Sequence, residues 1–443
     1  MSINLRGIKN EIVALAAHII KYFQLCFIWL ALTLVQIISY SNVIEPMNIN
    51  ARASSKTLSY ESNYPTLWGE SGGGSVLDNF TDALMIQNAI HPSSGKILYD
   101  AVSVSHMQYG DKMMPVDDLA SYVAGEEGGY AVEYSRYWHG YLIFLKPLLM
   151  FLTYAQIRVL NAVLQALLFI LLLYMMRKTS LTLYILPFIV SWLAISPWVI
   201  PYSMQLSCIY YLSLIGSLVL LKFYNRLKPK IYIYFFIIGM LTSYFDLLTW
   251  PVASLGLPLV FLLLLELERR DIKKKFLKII GICVNWSLGY IGMWASKWIL
   301  SELVLGSGSF SKSIGALRYR ASDTSDDGAE VSLTMVFRQS LGRMLNPAFM
   351  IVGILLALVL LILCTKKLLQ FKSINDILQV VLPFVIVALI PFVWYALTRN
   401  HSYSHPSLVY RGLWMSVFAG FSAMVAFIRY IGNKPEYEEK TNG

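Results

Sequence analysis

The chain has 443 residues, of which 57% are hydrophobic and only 14% are charged. A mean hydropathy of +0.58 excludes an ordinary soluble domain, because repeated apolar runs of about twenty residues are typical of membrane-spanning helices. The formal net charge is +10, and the basic residues lie between apolar runs rather than in one patch. The charge therefore indicates membrane orientation and affinity for anionic lipids, and it argues against a nucleic-acid partner.

Residues 1–21 place basic residues among Ile and Leu, a pattern typical of an amphipathic helix on the cytoplasmic membrane surface. The apolar run that follows is too long for a signal peptide and has no small-residue cleavage pattern. We therefore predict one membrane domain over residues 22–428 and a cytoplasmic tail over residues 429–443.

Ten apolar runs predict an all-α polytopic membrane protein with ten transmembrane helices. The predicted spans are 22–42, 156–176, 181–199, 204–222, 231–249, 250–267, 279–300, 346–364, 377–397 and 407–428. Alternate short connections and the two terminal segments together carry more than half of the Lys and Arg, so the positive-inside rule places both termini in the cytoplasm.

Two long loops then face the outside, at residues 43–155 and 301–345. Residues 141–153 of the first loop are apolar, but the run is short and contains Lys146-Pro147. A run of this length is too short to cross the bilayer, so we predict an interfacial helix on the outer surface.

The stretch "SVLDNFTDALMIQNAI", residues 75–90, places Asp78 and Asp82 four residues apart. Asp78 is suited to cap a helix, and both carboxylates of such a helix would point the same way. The alternative is that Asp78 is only a cap and Asp82 a solvated acid in the first turn. Asp117-Asp118 and Glu126-Glu127 are rival acids in the same loop, although their surroundings favour a helix start and a turn.

Asp246 lies in "YFDLLTWP", where the fifth predicted span ends. An ionisable residue at membrane depth is costly, so it usually has a partner or a function. The alternative is an acid that caps the helix or reaches the interface.

Lys297 lies near the outer end of the seventh predicted span, between Trp294 and Trp298. Such a group anchors many helices at the membrane interface, but a Lys at this level is also suited to bind a phosphate near the lipid headgroups. The sequence leaves both interpretations open.

The segment "TRNHSYSHPSLVYR" brings His401, His405 and Arg411 close together between the last two predicted spans. The histidines have the spacing of metal ligands on a helix, but Pro406 argues against a helix there and no third ligand is near. We therefore assign no metal ligands and predict a phosphate-binding role.

The segment "EYSRYWHGYLIFLKPLLMFLTYAQIRVLNAVLQALLFILLLYMMRK", residues 133–178, follows the acidic segment "TDALMIQNA". This order of an early acidic loop, an interfacial helix and a span ending in basic residues resembles the GT-C superfamily of integral-membrane glycosyltransferases. The resemblance covers residues 20–180, and the remainder of the chain is similar only in topology and outward-facing charge. Many members carry adjacent acids, whereas three residues separate Asp78 from Asp82.

The resemblance implies transfer of a sugar from a polyprenyl phosphate to a hydroxyl of a glycan or envelope polymer, on the outer face of a bacterial cytoplasmic membrane. Asp82 would be the general base, because such a transfer needs a group that accepts the proton of the attacking hydroxyl. The other assigned residues are the acids Asp78 and Asp246 and the substrate-binding residues Lys297, Arg411, His401, His405, Arg136, Tyr137 and His139. A divalent cation such as Mg or Mn is left open as a cofactor.

Two other functions fit a polytopic membrane protein with outward charges. A transporter or flippase for a lipid-linked sugar would need charges within its spans, which are few here, and often shows repeated halves. A membrane polysaccharide polymerase would place its long outer loops later in the chain, whereas the largest loop here follows the first span.

Overall fold

The computed structural model describes residues 25–41, 44–67, 74–110, 113–268, 271–306, 308–325, 327–368 and 374–430. Over these residues the chain is mostly helical, as expected for an all-α membrane protein. The predicted amphipathic helix at 1–21 and residues 431–443 of the predicted tail lie outside the described residues.

Ten apolar helices of the described chain, of very different length, overlap the ten predicted spans. They are α1 (Leu25–Ser39), α7 (Tyr154–Lys178), α8 (Ile185–Leu193), α9 (Met204–Leu227), α10 (Ile231–Phe245), α11 (Val252–Leu265), α12 (Ile272–Leu305), α15 (Pro347–Leu368), α16 (Ile374–Leu397) and α19 (Leu413–Tyr430). Six segments of the described chain are long and apolar enough to cross a membrane: Tyr154–Lys178, Met204–Phe245, Ile272–Leu305, Pro347–Leu368, Ile377–Leu397 and Pro406–Arg429. The chain is therefore a multi-pass membrane protein.

The 42-residue segment Met204–Phe245 is a helical hairpin rather than one long helix. The Tyr234 hydroxyl of α10 donates to the Gly216 carbonyl of α9, although a straight helix would separate these residues by about 27 Å. By contrast, α8 and α11 have only 9 and 14 residues, which is shorter than a span requires. The predicted number of ten spans therefore stays a prediction.

The first long loop folds into short elements that pack on one side of the membrane helices, which we call the loop side. Its elements are α2 (Ile44–Glu61), α3 (Asn79–Ile90), α4 (Ile97–Ser103), β1 (His106–Gln108), α5 (Pro115–Ala124), β2 (Tyr130–Val132) and α6 (Leu142–Leu149). The strands pair antiparallel, with Met107 opposite Ala131. The eight-residue α6 is too short to cross a membrane, and its location at the outer membrane surface stays a prediction.

Local sequence explains where several elements begin and end. The Thr153 side chain and Gln156 form a capping box at the start of α7, which satisfies backbone groups that would otherwise lack partners. The helix α5 begins with Pro115 in its first turn and ends at Gly125, which has a positive φ of 80°. Four further helices complete the loop side: α13 (Ser309–Ala321), α14 (Leu333–Met344), α17 (Arg399–Ser404) and α18 (Pro406–Val409).

Two glycines let the backbones of α10 and α12 approach closely. A Cβ atom on Gly239 of α10 would lie 2.1 Å from the Trp286 carbonyl oxygen. The contact is reciprocal, because a Cβ on Gly289 of α12 would lie 2.1 Å from the Phe236 carbonyl oxygen. Small residues at facing positions are a common means of close packing between membrane helices.

We expect Gly289→Val to separate α10 from α12 and to lower the thermal stability of the protein, because the new side chain overlaps the opposite backbone. The measurement is the unfolding midpoint of purified protein in detergent. Gly292→Val on the same helix is the matched control, since a Cβ atom on Gly292 would have no neighbouring atom of the described chain within 4 Å. Equal midpoints for the two variants would contradict close helix packing at Gly289.

Candidate functional site

The two acids at the start of α3 have different roles. Asp78 is the N-cap of α3, and its carboxylate accepts a hydrogen bond of 3.1 Å from the Thr81 N–H, as the sequence predicted. Asp82 lies one turn later and is completely buried, so its interpretation as a solvated first-turn acid is wrong. Both carboxylates remain close enough to interact electrostatically.

The Asp82 carboxylate joins α3 to the membrane helices α7 and α9. It accepts hydrogen bonds from the backbone N–H of Met204 at 3.1 Å and of Gln205 at 3.2 Å, so it caps the N-terminus of α9. The Tyr154 hydroxyl, at the start of α7, contacts the same carboxylate. Asp82 is thus a buried acid that fixes the first long loop on two membrane helices.

A neighbouring ion pair supports this junction. The Arg158 guanidinium pairs with Glu61 of α2 at 2.7 Å and donates to Asn79 of α3 at 2.9 Å. It also lies 4.2 Å from the Tyr154 ring centroid, where a cation is attracted to the aromatic face. Arg158 therefore holds α2 and α3 against α7 and fixes the position of Tyr154.

The hydrogen-bond geometry around Tyr154 has a consequence for protonation. Its hydroxyl contacts Asp82 and also lies 2.9 Å from the Tyr202 carbonyl oxygen, but it has only one proton to donate. When that proton points to the carboxylate, the hydrogen bond from Tyr154 favours the ionised form of Asp82. Burial raises the pKa of Asp82 to about 7, although the Tyr154 hydrogen bond opposes the shift.

We expect infrared spectra to contain a carbonyl band from protonated Asp82 that titrates near pH 7 and is absent in Asp82→Asn. Tyr154→Phe should raise its midpoint, because it removes a hydrogen bond that favours the ionised form. Asp117→Asn, at an exposed acid in the same loop, is the control. Identical wild-type and Asp82→Asn spectra at pH 6 would show that Asp82 is ionised throughout.

Asp246 stabilises a tight turn between α10 and α11. Its carboxylate accepts from the Thr249 N–H at 3.0 Å and from the Thr249 hydroxyl at 2.5 Å. The same turn holds Leu248 at a φ of 69°, a conformation that is uncommon for a residue with a side chain. The Leu248 carbonyl oxygen lies 2.6 Å from Nε2 of His401, so the turn connects Asp246 to α17.

A cleft of about 630 Å³ lies between α12 and α16, and we call it the aromatic cleft. One of its walls is a stripe of rings on α12, spaced four residues apart: Trp286, Tyr290, Trp294 and Trp298. The cleft is bordered by exposed apolar side chains such as Ile291 and Val393, so it opens toward the region that lipid chains would occupy. Arg320 and Leu248 line it on the loop side.

Arg320 belongs to a group of neighbouring polar residues that we call the basic rim. It consists of Arg320, Arg136, Tyr137 and His401, and among them Arg320 lines the aromatic cleft itself. The Tyr137 hydroxyl contacts Arg320, and its ring stacks on Trp294 with 6.0 Å between centroids. Burial lowers the pKa of Arg320 to about 10, which leaves the guanidinium charged at neutral pH.

His401 is a neutral member of the basic rim. Burial, with His405 and Arg320 nearby, holds the pKa of His401 well below its usual range. Its Nε2 must carry the proton to donate to the Leu248 carbonyl, so Nδ1 is an acceptor. Within the described chain this Nδ1 is buried and has no hydrogen-bond partner, so it is suited to accept a bond from a ligand hydroxyl. His405 stacks beside it at 4.7 Å.

Four of the predicted substrate-binding residues are not members of the basic rim: Lys297, His139, His405 and Arg411. Lys297 is buried and donates to the Val102 carbonyl at 2.7 Å, so it ties α4 to α12 and does not line the aromatic cleft. His139 contacts Tyr134 and Tyr141, and burial lowers its pKa to about 3. These contacts favour structural roles, because both side chains already have partners within the fold.

Arg411 is also buried, but it lies close to Asp78 rather than to the aromatic cleft. Its guanidinium donates to the carbonyl oxygens of Gly74, at 2.9 Å, and of Ser407. Its Nε has no hydrogen-bond partner among the residues that the structure describes. Arg411 therefore faces the carboxylates of the first long loop.

Arg320 is the member of the rim that the sequence analysis did not assign to the site. The sequence does contain a signal for the aromatic cleft. Aromatic residues recur every four positions from Trp286 to Trp298, which places their rings on one face of a helix. The described residues contain no group of three or more His, Cys, Asp or Glu that could hold a metal ion. No family model, no curated protein and no solved structure matches the chain.

Proposed function

We propose that the protein is a membrane glycosyltransferase that moves a sugar from a polyprenyl phosphate to a hydroxyl acceptor. The observation that carries the proposal is the aromatic cleft with the basic rim at one end. A long apolar chain would lie in the cleft, and its phosphate would meet Arg320 and Arg136. An apolar slot that ends in cations suits an amphiphile with an anionic head.

The chemistry would proceed by attack of the acceptor oxygen on the anomeric carbon of the donor. The bond from that carbon to the phosphate oxygen breaks, and the polyprenyl phosphate leaves with the electron pair. The guanidinium groups of the rim would stabilise the developing charge on the phosphate. The proton of the acceptor hydroxyl would pass to a carboxylate, and we assign this base to Asp82.

The raised pKa of Asp82 supports its assignment as the base. A group with a pKa near 7 is ionised in about half of the molecules at neutral pH, and it accepts a proton more readily than an ordinary carboxylate. Asp246 is in the same turn as Leu248, and Leu248 lines the aromatic cleft. We therefore assign Asp246 to positioning of the reacting sugar. The proposed setting is the outer face of a bacterial cytoplasmic membrane, with a glycan or envelope polymer as acceptor.

We expect Arg320→Ala to weaken donor binding about 10- to 100-fold, because it removes a charged partner of the phosphate. Binding is measured by quenching of tryptophan fluorescence on titration with a short-chain polyprenyl phosphate. Arg318→Ala is the matched control, since Arg318 lies on the same helix and is exposed. If both substitutions weakened donor binding equally, the cause would be the general surface charge. That result would contradict a phosphate site at Arg320.

We expect Asp82→Asn to lower sugar transfer by at least about 100-fold and to leave donor binding unchanged, because the amide cannot act as a base. Purified protein is incubated with a panel of polyprenyl-phosphate sugars, and released polyprenyl phosphate is measured. The wild-type rate should rise from pH 6 to pH 8, because Asp82 must lose its proton first. Asp117→Asn is the control.

The same substitution also weakens the cap of α9, so the unfolding midpoint of Asp82→Asn must be measured beside the rate. A variant that transfers sugar normally would exclude Asp82 as the base. Loss of transfer in Asp246→Asn alone would assign the base to Asp246 instead. Movement of the lipid-linked sugar across a vesicle membrane without transfer would favour the flippase.

A further inference from the structure

A second cleft lies on a different part of the membrane surface, and we call it the α6 cleft. It has a volume of about 600 Å³ and is formed by α6, α7 and α9 together with Phe245. Phe144, Leu164 and Ile215 line it and are exposed, so it opens toward the region that lipid chains would occupy. The described part of the chain therefore has a lateral opening that apolar chains can enter in addition to the aromatic cleft.

The two clefts differ in charge. The aromatic cleft includes Arg320, whereas none of the described residues that line the α6 cleft is charged. Lys146 belongs to α6, but its ammonium group lies over the Tyr40 ring, 4.0 Å from the centroid, and is not part of the lining. An anionic headgroup in the α6 cleft would therefore be without a cationic partner there, which is unfavourable in a poorly solvated site.

The polar groups of the α6 cleft are uncharged. Tyr211 donates to the Asn161 side-chain oxygen at 2.6 Å, and Asn161 donates to the Ser207 hydroxyl at 2.6 Å. This network places hydroxyl and amide groups on a wall that is otherwise apolar. Such a surface suits an apolar chain with a hydroxyl-bearing head, and it gives no stabilisation to a phosphate.

The α6 cleft also approaches the proposed base. Met85 and Met204 line it, and the Met204 N–H donates to the Asp82 carboxylate. Met85 follows Asp82 by three residues on α3, so it lies on nearly the same face of that helix. The wall of the cleft nearest Asp82 in the chain thus includes two Met side chains, which repack more easily than branched ones.

We propose that the α6 cleft binds the hydrocarbon chains of the sugar acceptor, and that this acceptor is a membrane glycolipid with an uncharged head, a glycosyl diacylglycerol. The proposal rests on the proposed function and names its second substrate. The anionic donor would enter through the aromatic cleft, where the cations are. The uncharged acceptor would enter through the α6 cleft and present a sugar hydroxyl toward Asp82.

The test is photo-crosslinking of the full chain in phosphatidylcholine nanodiscs. The probe is a monoglucosyl diacylglycerol with a diazirine on one acyl chain, and labelled residues are mapped by mass spectrometry. We expect labels on α7 and α9 around Leu164 and Ile215. Leu212→Trp, which fills the α6 cleft, should reduce this labelling at least about tenfold, whereas Ile390→Trp, which fills the aromatic cleft, should not.

Three results would overturn the proposal. Equal labelling of the α6 cleft by diazirine phosphatidylglycerol would mean that ordinary bilayer lipid fills it. Labelling of the same residues by a diazirine polyprenyl phosphate would mean that it is a donor site. Unchanged labelling in Leu212→Trp, with an unfolding midpoint equal to that of the wild type, would place the glycolipid elsewhere.

Crosslinking needs no turnover, so this inference and the proposed function can fail separately. Glycolipid labelling of the α6 cleft in a protein that transfers no sugar would support the site and contradict the proposed function. Sugar transfer to a soluble acceptor, without glycolipid labelling of the cleft, would contradict the inference and support the proposed function.

Discussion

The buried carboxylate of Asp82 connects the first long loop to the membrane helices. An isolated carboxylate in such a site would be strongly unfavourable, so its burial requires the hydrogen bonds that surround it. Two backbone N–H groups at the start of α9 and the Tyr154 hydroxyl supply them. The first N–H groups of α9 need an acceptor, and the buried Asp82 carboxylate needs hydrogen-bond donors, so each group satisfies the other. These hydrogen bonds fix α3 against α9. They therefore also fix Met85 of α3, which lines the α6 cleft.

The helix α12 has two faces with different tasks. One face carries Gly289, which brings the α10 backbone into contact with α12. The other carries the aromatic stripe that forms a wall of the aromatic cleft. Trp286 takes part in both, since its carbonyl oxygen faces Gly239 of α10 and its ring lines the cleft. Close packing of the two helices therefore fixes where the rings of the cleft lie.

The two clefts differ in the charge of the residues in and around them. Two cations lie near the loop-side end of the aromatic cleft, where Arg136 and Arg320 each lie over the Tyr137 ring. Among the described residues that line the α6 cleft, the polar side-chain groups are hydroxyl, amide and thiol groups only. Cys208 of that lining is within electrostatic range of both Asp82 and Asp246. The buried acids thus lie near the part of the fold that an enzyme joining two membrane substrates would use.

The sequence by itself determined the features that depend on neighbouring residues in the chain. The apolar runs indicated the membrane helices, Asp78 was recognised as the cap of α3, and the run at 141–153 was recognised as too short for a span. These features follow from local hydrogen bonding and hydrophobicity, which act over a few residues. The lengths of the apolar runs did not predict the short helices α8 and α11, because the ends of a helix also depend on turns and on packing against other elements.

The tertiary structure alone decided which charged groups meet. Lys297 was predicted to bind phosphate, yet it bonds to Val102, 195 positions earlier in the chain. Arg320 reaches Tyr137 across 183 positions, and Asp82 reaches Met204 across 122. Spacing along a helix tells which residues share a face, but the direction of that face is set by packing against distant elements. For this reason the acids of the site were recognisable in the sequence, whereas their partners were not.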